Sequence, residues 1–141
     1  MGNDGDYVLD QQIGHLLRRA HQRASHIFKA RFAGFDLTPT QFAALAKIAD
    51  AREVSQNLLG RLTAMDPATM KGVIGRLHKR RLIDSGHDAT DRRRTLWRLT
   101  AAGEKLLAAA IEAGLATSDQ TLAPLNGKER EILARLLSRL T

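Results

Sequence analysis

The sequence predicts a mainly α-helical fold carrying one small β-hairpin, in the order four helices, hairpin, two helices. Three observations lead to it. Apolar residues recur at three- and four-residue steps along most of the chain, the period of one helical face. Capping residues followed by Pro, Gln or Glu punctuate those stretches where helices would begin. Past Arg81 the pattern changes, because Leu82-Ile83 and Thr95-Leu96-Trp97-Arg98-Leu99 have strand-like content and flank a polar stretch rich in Gly, Asp and Arg.

The first helix is expected from Leu9 to Phe32, about seven turns, because Leu9, Ile13, Leu16, Leu17, Ala20, Ala24, Ile27, Phe28 and Phe32 share a face. Gly34 and Asp36 break it. Thr38-Pro39-Thr40-Gln41 then supplies a Thr N-cap, Pro at the first helical position and Gln closing a capping box, so the second helix runs through Phe42, Leu45 and Ile48. Ser55 caps a short third helix bearing Leu58, Leu59 and Leu62. Asp66-Pro67 repeats the cap-then-proline signal for a fourth that reaches about Arg80. After the hairpin, Thr100 caps a fifth helix with Leu106, Leu107, Ala110, Ile111 and Leu115. Asn126 and Glu129 form a capping box for a sixth with Ile132, Leu133, Leu136, Leu137 and Leu140.

Composition bounds what such a chain does. Its 141 residues, 43% apolar and 26% charged, fit one compact domain. A fold of this length hides roughly 68% of its unfolded surface, enough for a core without covalent staples. The absence of Cys excludes disulfides, thiolate zinc sites, iron-sulfur clusters and cysteine nucleophiles. The acidic start, Met1 to Asp10, has no apolar run of signal-peptide length, and nowhere do about 18 apolar residues follow one another. A cytoplasmic protein with no membrane partner is therefore expected. The net charge of +7 favours an acidic partner, and four Phe, one Trp and one Tyr are too few for single-strand stacking platforms. Duplex DNA is the better fit.

Three short helices followed by a hairpin are the parts of a winged helix-turn-helix, whose fourth helix here would enter the major groove while the wing reaches an adjacent groove. Between Asp66 and Arg98 nine Lys or Arg stand against four Asp, a surplus of five that holds most of the chain's net charge. The terminal helices carry more apolar surface than a small head can cover. A homodimer through those helices would cover it and present two heads to a pseudo-palindromic site, about 34 Å apart. The chain is accordingly divided into an N-terminal dimerisation helix (1–36), a DNA-binding lobe (37–100) and C-terminal dimerisation helices (101–141), within one compact domain.

On these elements the sequence resembles the MarR family, small dimeric winged-helix repressors that usually release DNA when a ligand binds. The most specific part is Asp91-Arg92-Arg93-Arg94-Thr95-Leu96-Trp97-Arg98-Leu99-Thr100-Ala101-Ala102-Gly103, similar to the family's wing signature of Asp-x-Arg, second strand and Leu-Thr-x-x-Gly helix start. Leu37 to Phe42 and Thr69-Met70-Lys71-Gly72 through Leu77 add weaker matches. The resemblance implies that Arg93 enters the minor groove with Asp91 orienting it, where a narrow groove concentrates negative potential. It places Ala68, Thr69, Lys71 and Gly72 near base edges, while Met70, Val73, Ile74 and Leu77 face the core. Arg76, Lys79, Arg92 and Arg94 become phosphate contacts, which position the protein without reading sequence. The chain departs from the family at Arg81, where Gly is usual, and at Ser85, where a basic residue is common. A left-handed turn at Arg81 would be mildly strained.

Family members often bind small aromatic carboxylates where the dimer helices meet the DNA-binding lobe. The first helix carries a polar cluster of His15, Arg18, Arg19, His21, Arg23 and His26. Arg18 or Arg19 could fork onto a carboxylate and His15 could donate a hydrogen bond, giving an effector site of His15, Arg18, Arg19 and Phe42. Asp10 to His21 is similar to members that control nicotinic acid degradation, which implies an effector such as 6-hydroxynicotinate. Two other readings stay open: a metal-responsive regulator using His15, His21, His26, His78 and His87, and a non-specific architectural DNA protein. No enzyme is expected, since the chain has no phosphate-cradling glycine loop, His-Glu-x-x-His or nucleophile elbow. No cofactor is expected either.

Overall fold

The computed structural model describes residues 5–141, which contain six α-helices and one two-stranded sheet. The helices are α1 (Ile13–Arg31), α2 (Pro39–Ala51), α3 (Gln56–Leu62), α4 (Pro67–Lys79), α5 (Ala101–Thr121) and α6 (Gly127–Ser138). Strands β1 (Ile83–His87) and β2 (Thr95–Leu99) lie between α4 and α5. They pair antiparallel, with Ile83 opposite Leu99 and His87 opposite Thr95. No helix among the described residues is long and apolar enough to cross a membrane.

Every helix start assigned to a capping residue is where the cap chemistry puts it. Thr38 Oγ1 accepts from Gln41 N–H at 3.2 Å while Gln41 Oε1 accepts from Thr38 N–H, and Asn126 and Glu129 exchange the same two bonds at 2.9 and 3.0 Å. Ser55, Asp66 and Thr100 accept from the N–H three residues on. Each satisfies a donor that a helix start otherwise leaves unpaired.

The first helix differs from expectation. Leu9–Gln11 forms one 3-10 turn and Gln12 is extended (φ −80°, ψ 133°), so the α-helix begins at Ile13 and ends at Arg31. The reason is local. Gln12 takes an extended backbone and turns its side-chain amide back to the Val8 carbonyl (3.0 Å), which separates the exposed 3-10 turn from the helix.

The described residues divide into two compact units. One contains the chain through Arg31 together with Ala113–Thr141; the other is Phe32–Glu112. The second has a dense core: Leu45, Ile48, Leu59 and Leu77 are fully buried, with Phe32, Val54, Met70 and Ile83 close to it. In the first, Ile27, Phe28 and Thr117 are buried, and it holds eleven of the thirteen large apolar side chains that stay exposed among the described residues. Arg23 and Arg31 fasten it internally. Arg23 donates to the carbonyls of Gln120 and Thr121, and Arg31 to Gln120 Oε1, which places two cations at the C-terminal end of α5.

Candidate nucleic-acid interface

Helix α4 separates its two faces cleanly. Met70, Val73, Ile74 and Leu77 are buried against the core of their unit, as the spacing predicts, leaving Ala68, Thr69, Lys71, Arg76 and Lys79 exposed and Gly72 half-buried. Arg76 folds back over Gly72, where a Cβ would lie 3.1 Å from Nη1, so the glycine makes room for a guanidinium along the helix. At the N-terminus, Asp66 Oδ1 accepts from Thr69 N–H (2.8 Å) and Oδ2 from the Thr69 hydroxyl (2.7 Å). These bonds, the backbone one foremost, hold the Asp66 carboxyl below its ordinary range. With its hydroxyl proton given to Asp66, Thr69 has a methyl and an acceptor oxygen left to offer.

The hairpin tip is organised by two aspartates. Asp91 Oδ1 accepts from the backbone N–H of Arg93 (3.0 Å) and stands 3.6 Å from Arg93 Nε, while the Arg93 side chain is 95% exposed. One carboxylate therefore sets the turn and aims the arginine. Asp88 closes the other half, accepting from the Thr90 N–H and hydroxyl at 2.9 and 2.8 Å. Its pKa is lowered by those two bonds and further by the charge of Arg94.

Arg92 and Arg93 extend into solvent, and Arg94, itself half exposed, also contacts its own unit. Its guanidinium lies 3.9 Å from Asp88 and 3.5 Å from Ser55 Oγ, the α3 cap, so it braces the wing against the helix-turn-helix. The sequence carries no signal for this partner 39 residues away. Three more ties to β2 also went unread. Val54 exchanges two backbone hydrogen bonds with Trp97 (3.0 and 2.8 Å), an isolated bridge that adds a one-residue third strand beside the expected two-stranded hairpin. His78 at the end of α4 stacks edge-on against Trp97, with centroids 5.2 Å apart. Arg98 reaches Glu53 at 3.6 Å. His78 ties the strand to the end of α4, whereas Val54 and Glu53 tie it to the segment between α2 and α3.

The turn joining α4 to β1 takes the left-handed conformation expected of it, with Arg81 at φ 59°. Thr100 stabilises it: its hydroxyl donates to the Arg81 carbonyl (2.7 Å) and its N–H to the Leu82 carbonyl (3.0 Å), while Oγ1 accepts from Gly103 N–H. Arg80 donates to the carbonyls of Asp36 and Phe35.

The α1 polar cluster separates into different environments. His15 and Arg19, one turn apart, both face Asp10 Oδ1, at 3.4 and 3.8 Å. Arg18 is exposed and makes no side-chain hydrogen bond or ion pair among the described residues. His21 contacts Ser25, and Arg23 is committed to α5. Phe42 belongs to the other unit, where its ring packs edge-on against Phe32 with centroids 4.9 Å apart. Among the described residues, no group of three or more His, Cys, Asp or Glu could hold a metal ion.

Comparison with known proteins gives these features a context. The MarR family profile matches residues 35–94. The chain is 37% identical over 134 residues to the HTH-type transcriptional repressor NicR of Pseudomonas putida, covering 95% of this chain and 85% of that one. It is similar to the crystal structure of a probable transcriptional regulator from Pseudomonas aeruginosa, at 48% identity and TM-score 0.91, covering 95% of this chain and 100% of the other. Bordetella bronchiseptica BpsR, whose DNA binding is regulated by 6-hydroxynicotinic acid, matches at 37% identity and TM-score 0.92 over 96% and 97% of the two chains.

Proposed function

The chain belongs to the MarR family of transcriptional regulators, and from that premise we propose that it is a cytoplasmic, non-enzymatic repressor that binds a pseudo-palindromic operator as a homodimer and lets go when a small aromatic carboxylate binds. The observation that carries the reading is the wing tip. A nearly fully exposed Arg93, aimed by Asp91 and mounted on a strand tied to α4, suits insertion into a narrow minor groove more than it suits stability, because an ion pair this exposed contributes little to folding. Arg76, Lys79, Arg92 and Arg94 take the phosphates. Ala68, Thr69, Lys71 and Gly72 lie against base edges, with the Thr69 methyl suited to a thymine C5-methyl since its hydroxyl proton is engaged.

Segments 1–36 and 101–141 serve dimerisation and 37–100 forms the DNA-binding lobe. The concentration of exposed apolar side chains in the terminal helices supports a second copy as their cover. The effector's carboxylate goes to the α1 cluster of His15, Arg18 and Arg19, and likeness to NicR and BpsR favours a nicotinate derivative such as 6-hydroxynicotinate.

Fluorescence anisotropy tests the whole reading. The probes are a duplex from upstream of the protein's own gene and a scrambled control, each titrated with and without 6-hydroxynicotinate and a panel of other aromatic carboxylates. Preference for the first duplex by at least about a thousandfold at fixed salt, abolished by one compound, is the expected result. Equal binding to both, indifferent to every compound, would leave an architectural protein.

A further inference from the structure

We infer that Asp10 is a built-in competitor for the effector, its carboxylate occupying in the free protein the seat that a small aromatic carboxylate takes in the bound one. The inference rests on the effector reading above and sharpens it. A single oxygen, Asp10 Oδ1, faces both His15 Nε2 (3.4 Å) and Arg19 Nη1 (3.8 Å), and an imidazole with a guanidinium around one carboxylate oxygen is the arrangement an organic acid would need there. The two donors are a helical turn apart on α1 and so stay together without Asp10. Arg18 makes no ion pair with Asp10, so the competition runs through His15 and Arg19.

Two further features suit Asp10 to displacement. Both contacts exceed hydrogen-bond length, and the Asp10 and Arg19 side chains are 75% and 65% exposed while His15 is only 21% exposed, so the imidazole is built in and the acceptor is loosely held. Asp10 also sits in the isolated 3-10 turn Leu9–Gln11, which no buried side chain anchors. When the effector's carboxylate arrives, the turn loses its electrostatic tether to α1 and is released. Asp10 would thereby set the effector concentration at which the protein responds, since affinity is reduced by the fraction of molecules whose seat is filled.

The test is calorimetric titration of the full chain, comparing wild type, Asp10→Asn and Asp6→Asn. The probes are 6-hydroxynicotinate, benzoate and nicotinamide, the last an uncharged ring. A loosely held exposed pair predicts a gain of about three- to fivefold in affinity for both carboxylates in D10N. Nicotinamide should gain nothing, and D6N, which removes the same charge from the same segment, should stay within about 1.5-fold of wild type for all three. Amide exchange at Gln11 and Gln12, whose N–H groups close the 3-10 turn, should quicken in wild type saturated with 6-hydroxynicotinate. If wild type binds the carboxylates and D10N binds them no better, or D6N gains as much as D10N, Asp10 is no competitor and the effector reading survives alone. If neither carboxylate binds wild type or D10N, both readings fall.

Discussion

Replacing Gly103 by Ala should unfold this protein more effectively than its chemistry suggests. In an ordinary helix the change adds about 1 kcal/mol of stability. Here an added Cβ would overlap the carbonyl oxygen of Leu82 and lie 3.0 Å from its carbonyl carbon, and that atom is backbone of the buried turn between α4 and β1. Relief requires the start of α5 to part from that turn. Two hydrogen bonds cross the gap, Thr100 N–H to the Leu82 carbonyl and the Thr100 hydroxyl to the Arg81 carbonyl, each worth about 1 kcal/mol. Overpacking adds about 1–3 kcal/mol. Net of the gain in helix propensity, the loss should be about 2–4 kcal/mol, a large part of a typical domain's total. Urea unfolding at fixed protomer concentration measures it, with Gly75→Ala as the internal contrast. Nothing lies within 4 Å of a Cβ at Gly75, so that substitution should stabilise by up to about 1 kcal/mol. A G103A protein with a midpoint at or above wild type would refute the steric argument.

Arg93→Ala should weaken operator binding and lower the magnitude of the salt slope by about one, leaving the melting temperature unchanged, as anisotropy across a salt series and thermal unfolding would report. Arg81→Gly should stabilise by about 1 kcal/mol in urea, because a side chain at φ 59° carries a left-handed penalty that glycine does not. Asp66 and Asp88 both have folded pKa values below the unfolded one, so their stabilising contribution is complete at neutral pH. It declines as pH falls through the unfolded carboxylate value, about 3.9, and is gone below the folded values. Acid unfolding should therefore steepen below about pH 4, and a D66N/D88N protein should lose part of that dependence; an unchanged acid limb in the double variant would exclude both groups.

Local chemistry made most of this architecture legible. Thr38, Ser55, Asp66, Thr100 and Asn126 each announce a helix because the cap bonds to an N–H three residues away, a range a sequence reader can see. The left-handed turn at Arg81 was legible for the same reason, as the place where a helix ends just before a strand. Illegible features depend on partners far along the chain. Val54 is a single residue with no pattern to mark it, yet it adds a rung to β2. Arg94 belongs with Ser55, 39 positions earlier, and Arg23 with the end of α5, 97 and 98 positions later. The α1 boundary was missed for a different cause. Periodicity reports that Leu9, Ile13 and Leu16 share a face, but not that Gln12 takes an extended backbone and bonds its side chain back to Val8, so that the helix starts four residues after Leu9.

The stretch from Asp91 to Gly103 reads as one motif in sequence, but the structure divides it by physical task. Its first part presents: Asp91 fixes the backbone and faces the guanidinium of Arg93, which is almost wholly in solvent. Its last part anchors: Leu99 pairs with Ile83, Thr100 ties two carbonyls of the preceding turn, and Gly103 permits the close approach that lets it do so. The strand between transmits position through Trp97, which is bonded to Val54 and stacked on His78 at the end of the recognition helix. Substitutions in the two parts should therefore separate in a plot of DNA affinity against stability. Changes at Asp91 or Arg93 should move affinity alone, whereas changes at Thr100 or Gly103 should move both, since a wing that loses its base also loses its aim. Variants at Thr100 that weaken DNA binding at unchanged stability would mean that this residue meets the nucleic acid directly, and the division would fail.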